Sequence, residues 1–514
     1  MTTDRRAKFA RVLPRLVLAE PVAGEPITLL VDPPLDELCD ITLRLVHRSG
    51  RTYAEKHLQL APGVTRIPLV RTVNLPEGDY DIVATPPLAE FFSMTPIEHK
   101  LPLTVGSPPA IVPVAQSGSG PRALVSDRIE EHFCEAVPIT SGRHHFFGYY
   151  DKFPWNASGR YHLALETGFL DRQPTRDDMA TIGIIDTENG NSFTPVAETS
   201  AWSWQQGTML QWLPSEPEHT IIYNIRDEDD RFYAVVHDLR SNEKRRLSRA
   251  FYAVGQSYAV GLNYARLHHT RPGYGYADGA ENTLPDLHPD TDGVYRIDLA
   301  TGESELIISL QRLFETDTIP RMHIGPHWVN HLTIAPDDSN FVFLNRCQFD
   351  PKQRFNDRFY VSTPDGKSIR LVHDNTYFSH FGYHATDSVV AYARTPGTQT
   401  DEYAIYQLWN ERFEVIGADV FSSDGHCSFS PDRRWMLTDT YPDSDNNRTL
   451  MLYEMATGRR VDIAKFYSPP ELKGEIRCDL HPRWSRDGRK VSIDSAHTGQ
   501  RQIYVLDVSA ITAT

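Results

Sequence analysis

A chain of 514 residues is too long for one ordinary domain and suits a large repeat domain with a smaller companion. Its 52 basic and 68 acidic side chains leave a formal charge of −16, which gives no electrostatic footprint for non-specific binding to nucleic acid or an anionic membrane. No window approaches about 18 uninterrupted apolar residues, so no transmembrane helix is expected. A hydrophobic content of 40% with 54 aromatic side chains is enough to fill a core.

The first apolar run, ValLeuProArgLeuValLeuAla, is broken by Pro14 and Arg15 and lacks the centre of a secretory signal. Five scattered cysteines (Cys39, Cys134, Cys347, Cys427, Cys478) form no disulfide framework. Both features predict a cytoplasmic protein. Residues 13–105 alternate apolar and polar side chains between ProGly and ProGluGlyAsp turns. That pattern predicts an N-terminal β-sandwich over 1–105. The Pro/Gly/Ser-rich stretch at 106–125 reads as a linker.

From about residue 126 to 514 the chain repeats. Each unit opens with a short apolar strand and a tight turn, at Lys152–Pro154, Trp212–Pro214, Val254–Gly255, Ala335–Asp337, Ala385–Asp387, Ser430–Asp432 and Ser485–Gly488. A third strand recurs in each, as IleGlyIleIleAsp, AlaValValHisAsp and so on to IleTyrValLeuAsp. Seven units of roughly 50 residues match four-stranded propeller blades. Six units carry their own fourth strand; the seventh does not, and CysGluAlaValProIle at 134–139 can supply it. The expected fold is therefore all-β: a seven-bladed β-propeller, closed by its own N-terminal strand, after a small β-sandwich.

Aligned by their turns, His331, His426 and His481 each lie six residues before the turn acid. Equivalent positions on innermost strands point into the channel at one height, which makes the three a candidate site for one divalent metal. Zinc is the first expectation, with manganese or calcium as alternatives. His380 and His384 of the fifth unit fall nearby, and Cys347, Cys427 and Cys478 are close in sequence. The plainer alternative is that each imidazole bonds a carbonyl or water at the channel mouth.

Two loop-rich segments mix His, Tyr and Arg: HisHisPhePheGlyTyrTyrAspLysPheProTrp at 144–155 and AsnTyrAlaArgLeuHisHisThrArgProGlyTyrGlyTyr at 263–276. Tyr150, Trp155, Trp202 and Trp204 read as packing between blades. These segments, with TrpGlnGlnGlyThrMetLeuGlnTrpLeuPro at 204–214, resemble the seven-bladed propeller polysaccharide lyases. The likeness is to the short ulvan lyase type and, more distantly, to oligogalacturonate lyases, and covers residues 140–510.

The resemblance implies β-elimination on an anionic, uronic-acid-containing polysaccharide or oligosaccharide. Such chemistry needs a cation against the C5 carboxylate, a base for the C5 proton and an acid for the leaving oxygen. Carried over by residue, His145 or its neighbour His144 matches the first-blade histidine. Tyr274 or Tyr258 becomes the acid or base, and Arg271, then Arg266, the carboxylate clamp. Tyr149 and Asn263 complete the expected substrate contacts. A second family histidine would fall near Glu166, where this chain has a carboxylate that can serve as a base but repels a uronate. That departure leaves two other readings open: a non-catalytic glycan- or protein-binding propeller, and a hydrolase using Glu166, Asp151 and Asp171. No GlyXxxSerXxxGly elbow is present, which argues against a propeller peptidase.

Overall fold

The computed structural model describes residues 126–513, apart from 282, 285, 317–324, 349–353, 376 and 397–399, and the backbone of seven strands between residues 16 and 105. Those seven strands make two antiparallel sheets. One contains Leu16–Leu18, Pro26–Val31 and Arg66–Arg71; the other orders Thr52–Leu60, Cys39–His47, Gly78–Thr85 and His99–Val105. The packing expected of a sandwich and the linker at 106–125 lie outside the described residues.

The remainder is a seven-bladed β-propeller of seven sheets. Blade 1 runs outward through His144–Phe146, Tyr161–Thr167, Ala180–Asp186 and Ser192–Thr199. The innermost strands of blades 2 to 7 are Gln211–Trp212, Ala253–Val254, His327–Ile334, Phe378–Ala385, Ser428–Phe429 and Arg483–Trp484. The outermost strand of blade 7 is Ala136–Pro138, which pairs with Gln502–Asp507 through Val137 and Val505. Ile129–Glu131 adds a fifth strand to blade 6, parallel to Arg460–Tyr467. Its sequence, IleGluGlu, has too little alternation to announce a strand.

Burial falls from the axis outward, and the sequence records it. Every residue of the second strand of blade 4, Phe341–Cys347, is buried, because blades cover both of its faces. Every residue of the fourth strand of blade 2, Glu243–Arg246, is exposed. Side chains between neighbouring blades form the core: Leu163, Ile182 and Trp202 in one cluster, Trp435, Leu452, Trp484 and Val491 in another. Trp155, Trp202 and Trp204 are all buried, as packing residues are.

Two buried histidines outside the channel fix a pH response. His162 lies edge-on to Trp155, bonded at Nδ1 to the Leu163 carbonyl (2.7 Å) and at Nε2 to the Ser492 hydroxyl (3.1 Å). Burial, with Arg483 nearby, lowers its pKa to about 3, and burial likewise lowers that of His373. In the unfolded chain both titrate near ~6.5. Below that pH the unfolded state gains protons that the fold refuses, so stability held above about 6.5 is lost on acidification. Well below its unfolded value and above its folded value of about 3, His162 contributes a slope of about 1.4 kcal/mol per pH unit, and His373 adds to it in the same direction. Urea midpoints are expected to drop steadily from about pH 7 to about pH 5; a flat profile would contradict the neutral burial of both rings.

Candidate functional site

One end of the propeller gathers the chemistry. There the innermost strands begin, the second strands end and the loops between second and third strands project. A cavity of about 240 Å³ opens among Arg271, Tyr274, His331, Arg346, His380 and Tyr441. It has a packed floor. Arg483, fully buried against Asp494 (2.8 Å), donates to the Gly148 carbonyl, while Asp494 accepts from the Phe147 amide (3.2 Å). These bonds steer the chain inward at Gly148, whose φ of +131° and contact with the Gln206 carbonyl leave no room for a Cβ. Tyr149 and Tyr150 follow, 4.6 Å apart and each 3% exposed, and plug the channel.

On this floor stands a phenol between two guanidiniums. The loop after the helix Tyr264–Thr270 carries Arg271 and Tyr274, and the Arg271 guanidinium lies 4.9 Å from the Tyr274 ring. From a second loop Arg477 donates to the Tyr274 hydroxyl at 2.8 Å. Burial alone would raise the pKa of Tyr274, but Arg477 and Arg271 outweigh it and the net displacement is downward from the ordinary value. Neighbouring Tyr441 shifts the other way, because burial dominates there. Arg271 itself keeps a buried Nε with no hydrogen-bond partner. Arg346 and Arg354 both pair with Asp357, at 2.6 and 2.9 Å, and Arg271 and Asp424 line the same mouth.

Beside the phenol, His426, Asp479 and His481 form a group able to hold a metal ion, their donor atoms all within 4.8 Å of one another. The rings of His426 and His481 stand perpendicular at 4.6 Å, and both Nε2 atoms are buried without a partner. Asp439 takes Nδ1 of His426 at 2.8 Å, which leaves the Nε2 lone pair facing the group, as metal-ligating histidines are usually held. Burial opposes ionisation of Asp479, yet Arg477 (2.6 Å) and Arg448 (2.7 Å) keep its pKa well below the usual range. The residues fit a two-histidine, one-carboxylate set.

His331 is not part of it, which corrects the expectation of three registered histidine ligands. Its Nε2 meets the Tyr149 hydroxyl at 3.4 Å and its Nδ1 the Tyr252 hydroxyl at 3.3 Å. His331, at φ +52°, sits where pairing breaks between Asn330 and Thr333, and the two phenols take up both of its ring nitrogens. His380, also anticipated nearby, lines the cavity with Nδ1 held by Asp424 at 3.0 Å. Cys427 instead donates to the Val390 carbonyl and Cys347 to that of Gly325.

Of the other expected site residues, Arg271, Tyr274 and Tyr149 come together, Tyr149 packing between His331 and His481. The rest do not. His145 pairs across the sheet with Glu166, their side chains 3.2 Å apart, and packs edge-on to Phe193. His144 accepts from the Arg501 amide. The guanidinium of Arg266 donates to the carbonyls of Thr283, Asp286 and Leu287 on its own loop and to that of His327 on blade 4. Asn263 caps the helix by accepting from the Arg266 amide and donates to Asp292. Tyr258 donates to the Asp338 carbonyl in a turn at the opposite mouth. The carboxylates proposed for hydrolysis do not converge either: Asp151 is paired with Lys152 at 2.6 Å, and Asp171 is exposed.

Arg477 and Asp479 escaped the sequence reading. Their signal was the spacing Arg477–Asp479–His481, which places three polar groups on one side of an extended chain.

Fold and site together define a seven-bladed β-propeller with an arginine-rich, histidine-lined mouth. Among solved structures, the chain is similar to an oligogalacturonate lyase from Vibrio parahaemolyticus, with a TM-score of 0.52 and 14% identity over 73% of this chain and 94% of that one. The β-propeller domain of the trilobed protease of Pyrococcus furiosus is similar at a TM-score of 0.43 and 12% identity, covering 71% and 96%. TolB from Acinetobacter baumannii follows at 0.34 and 11%, covering 68% and 81%. No family model and no curated protein matches the chain, so the ulvan lyase resemblance has no family match behind it. The likeness to the oligogalacturonate lyase shows the fold alone. Among the described residues no helix is long and apolar enough to cross a membrane.

Proposed function

We propose that the protein cleaves a uronic-acid-containing oligosaccharide by β-elimination at this mouth. The observation that carries the reading is Tyr274, a phenol displaced toward ionisation by Arg477 and Arg271 and lining a cavity together with Arg271 and Arg346. A cavity of about 240 Å³ takes one sugar ring with its carboxylate. The free Nε of Arg271 and the guanidinium of Arg346 line this cavity, and guanidiniums are the groups that pair best with a planar carboxylate.

In this scheme the Tyr274 phenolate takes the proton from C5. The C5–H electron pair becomes the C4–C5 double bond, and the C4–O bond breaks toward the leaving sugar. His380 is a poor proton donor, since its Nδ1 proton is bonded to Asp424 and burial lowers its pKa. The acid role therefore falls to Tyr274, which after the first step holds a proton to return to the glycosidic oxygen. A divalent metal on His426, Asp479 and His481 would supply Lewis-acid neutralisation of the carboxylate. Two imidazoles and a carboxylate, with no thiolate, suit manganese as well as zinc, and calcium less. The unpaired thiols of Cys347, Cys427 and Cys478 suit a reducing compartment, and so an intracellular oligosaccharide.

The test is ultraviolet absorbance of the new double bond on a panel of glucuronate-, iduronate-, galacturonate- and mannuronate-containing polymers and oligomers. A rising signal is expected that disappears in Arg271→Ala and persists in His145→Ala, whose ring lies in the blade. Reducing ends without absorbance would replace the reading with hydrolysis, and binding without either product would replace it with a glycan-binding propeller.

A further inference from the structure

The TrpSerTrpGlnGlnGly segment at 202–207 takes no part in the scheme above, yet it holds both halves of the site. Ser203 and Gly207 bond each other twice, N–H to carbonyl in both directions at 3.0 and 2.9 Å, forming a tight loop. Gly207 has φ +59°, and a Cβ on it would meet the Leu165 side chain and the Phe147 carbonyl, so the loop demands glycine. At its tip is Gln205, fully buried. The Gln205 amide N–H reaches the Gly273 carbonyl at 3.4 Å, on the loop of Tyr274. Its side-chain Nε2 donates to the carbonyls of Glu475 and Arg477, both at 3.1 Å, on the loop of Arg477. Two acceptors facing one end of the amide fix which end is NH₂.

Neighbouring contacts reinforce the bracket. Ser203 donates to the Tyr274 carbonyl, and Arg501, lying over the Trp204 ring at 4.6 Å, donates to the Arg477 carbonyl at 2.9 Å. The loops themselves touch, since a Cβ on Gly273 would stand 2.9 Å from Cβ of Glu475. Within the described residues, Gln205 alone bonds both loops, by its backbone on one side and its side chain on the other.

We propose that Gln205 is a positioning residue, holding the loop of Arg477 against the loop of Tyr274 so that guanidinium and phenol stay in hydrogen-bond contact. The proposal rests on the β-elimination reading for its kinetic consequence only. Without the donor, the Glu475 carbonyl loses its bond to Gln205 and the Arg477 carbonyl is left to Arg501, and a shift of about 1 Å in a catalytic group can cost on the order of a hundredfold in rate. Gln205→Met, which keeps the shape and removes the donor, is expected to lower kcat by about ten- to a hundredfold, with KM within about threefold.

A second readout needs no substrate. The phenol titration of Tyr274, isolated as the difference spectrum against the same protein carrying Tyr274→Phe, should move up in Gln205→Met toward the ordinary tyrosine value of ~10. Gln205→Glu, kept protonated by its two carbonyl neighbours, retains one donor and should fall between wild type and Gln205→Met in both readouts. It also serves if Gln205→Met does not fold. A folded Gln205→Met with an unshifted Tyr274 titration overturns the proposal, whatever its kcat. If no uronate is cleaved by the wild type, the β-elimination reading fails alone and the titration still decides the role of Gln205.

Discussion

Tyr274→Phe is expected to abolish measurable β-elimination, lowering kcat by about 10⁴-fold while leaving the fold intact. One group carrying both proton transfers puts the loss at the upper end of the 10²–10⁴-fold range of general acid–base catalysis. The fold should persist because the ring stays and only the hydroxyl that accepts from Arg477 is removed; Arg477 keeps Asp479 at 2.6 Å. The pH profile sharpens the test. A base must be ionised in the free enzyme, so kcat/KM should rise with pH and level off through the pKa of Tyr274. The two arginines place that limb below the ordinary phenol value. Arg477→Met, lacking the 2.8 Å hydrogen bond, should carry the limb upward. A rate that falls through that region would make Tyr274 an acid only, and a Tyr274→Phe enzyme with more than about a tenth of wild-type kcat would remove it from the reaction.

The blades were legible because the ring buries inner strands on both faces and leaves outer ones wet, which writes period-two patterns and ProAsp turns into the chain. Arg271 and Tyr274 were legible for a local reason: ArgProGlyTyr is a turn that presents both side chains from one loop. His145 misled because its neighbours in sequence say little about its partner. Only the register that sets it opposite Glu166 decides which face it takes, and a slip of one residue reverses that. His331 shares its spacing with His426 and His481, yet its two nitrogens meet phenols on Tyr149 and Tyr252, separated from it by 182 and 79 positions. Such pairings are consequences of ring closure, and periodicity carries no information about them. Asp479 was hidden for the same reason, since its meaning comes in part from Arg448 on the preceding blade.

Asp479→Asn is expected to be the most destabilising single change in the site, costing about 3–5 kcal/mol. Asp479 is fully buried and answers two arginines, Arg477 at 2.6 Å and Arg448 at 2.7 Å. Removing the charge leaves both guanidiniums desolvated without a counter-ion, which is the costly half of breaking a buried pair. His481→Gln provides the contrast, because it deletes a ligand of the same group without stranding a charge. Metal content after purification without chelator should fall in both variants, from about one divalent ion per chain, whereas the urea midpoint should collapse only in Asp479→Asn. Adding Arg448→Met to Asp479→Asn should restore part of the loss by removing one of the stranded cations, a coupling read directly from the double-mutant cycle. A stability loss below about 1 kcal/mol for Asp479→Asn would mean that water reaches these arginines, and the dry, charge-focused mouth on which the β-elimination scheme depends would go with it.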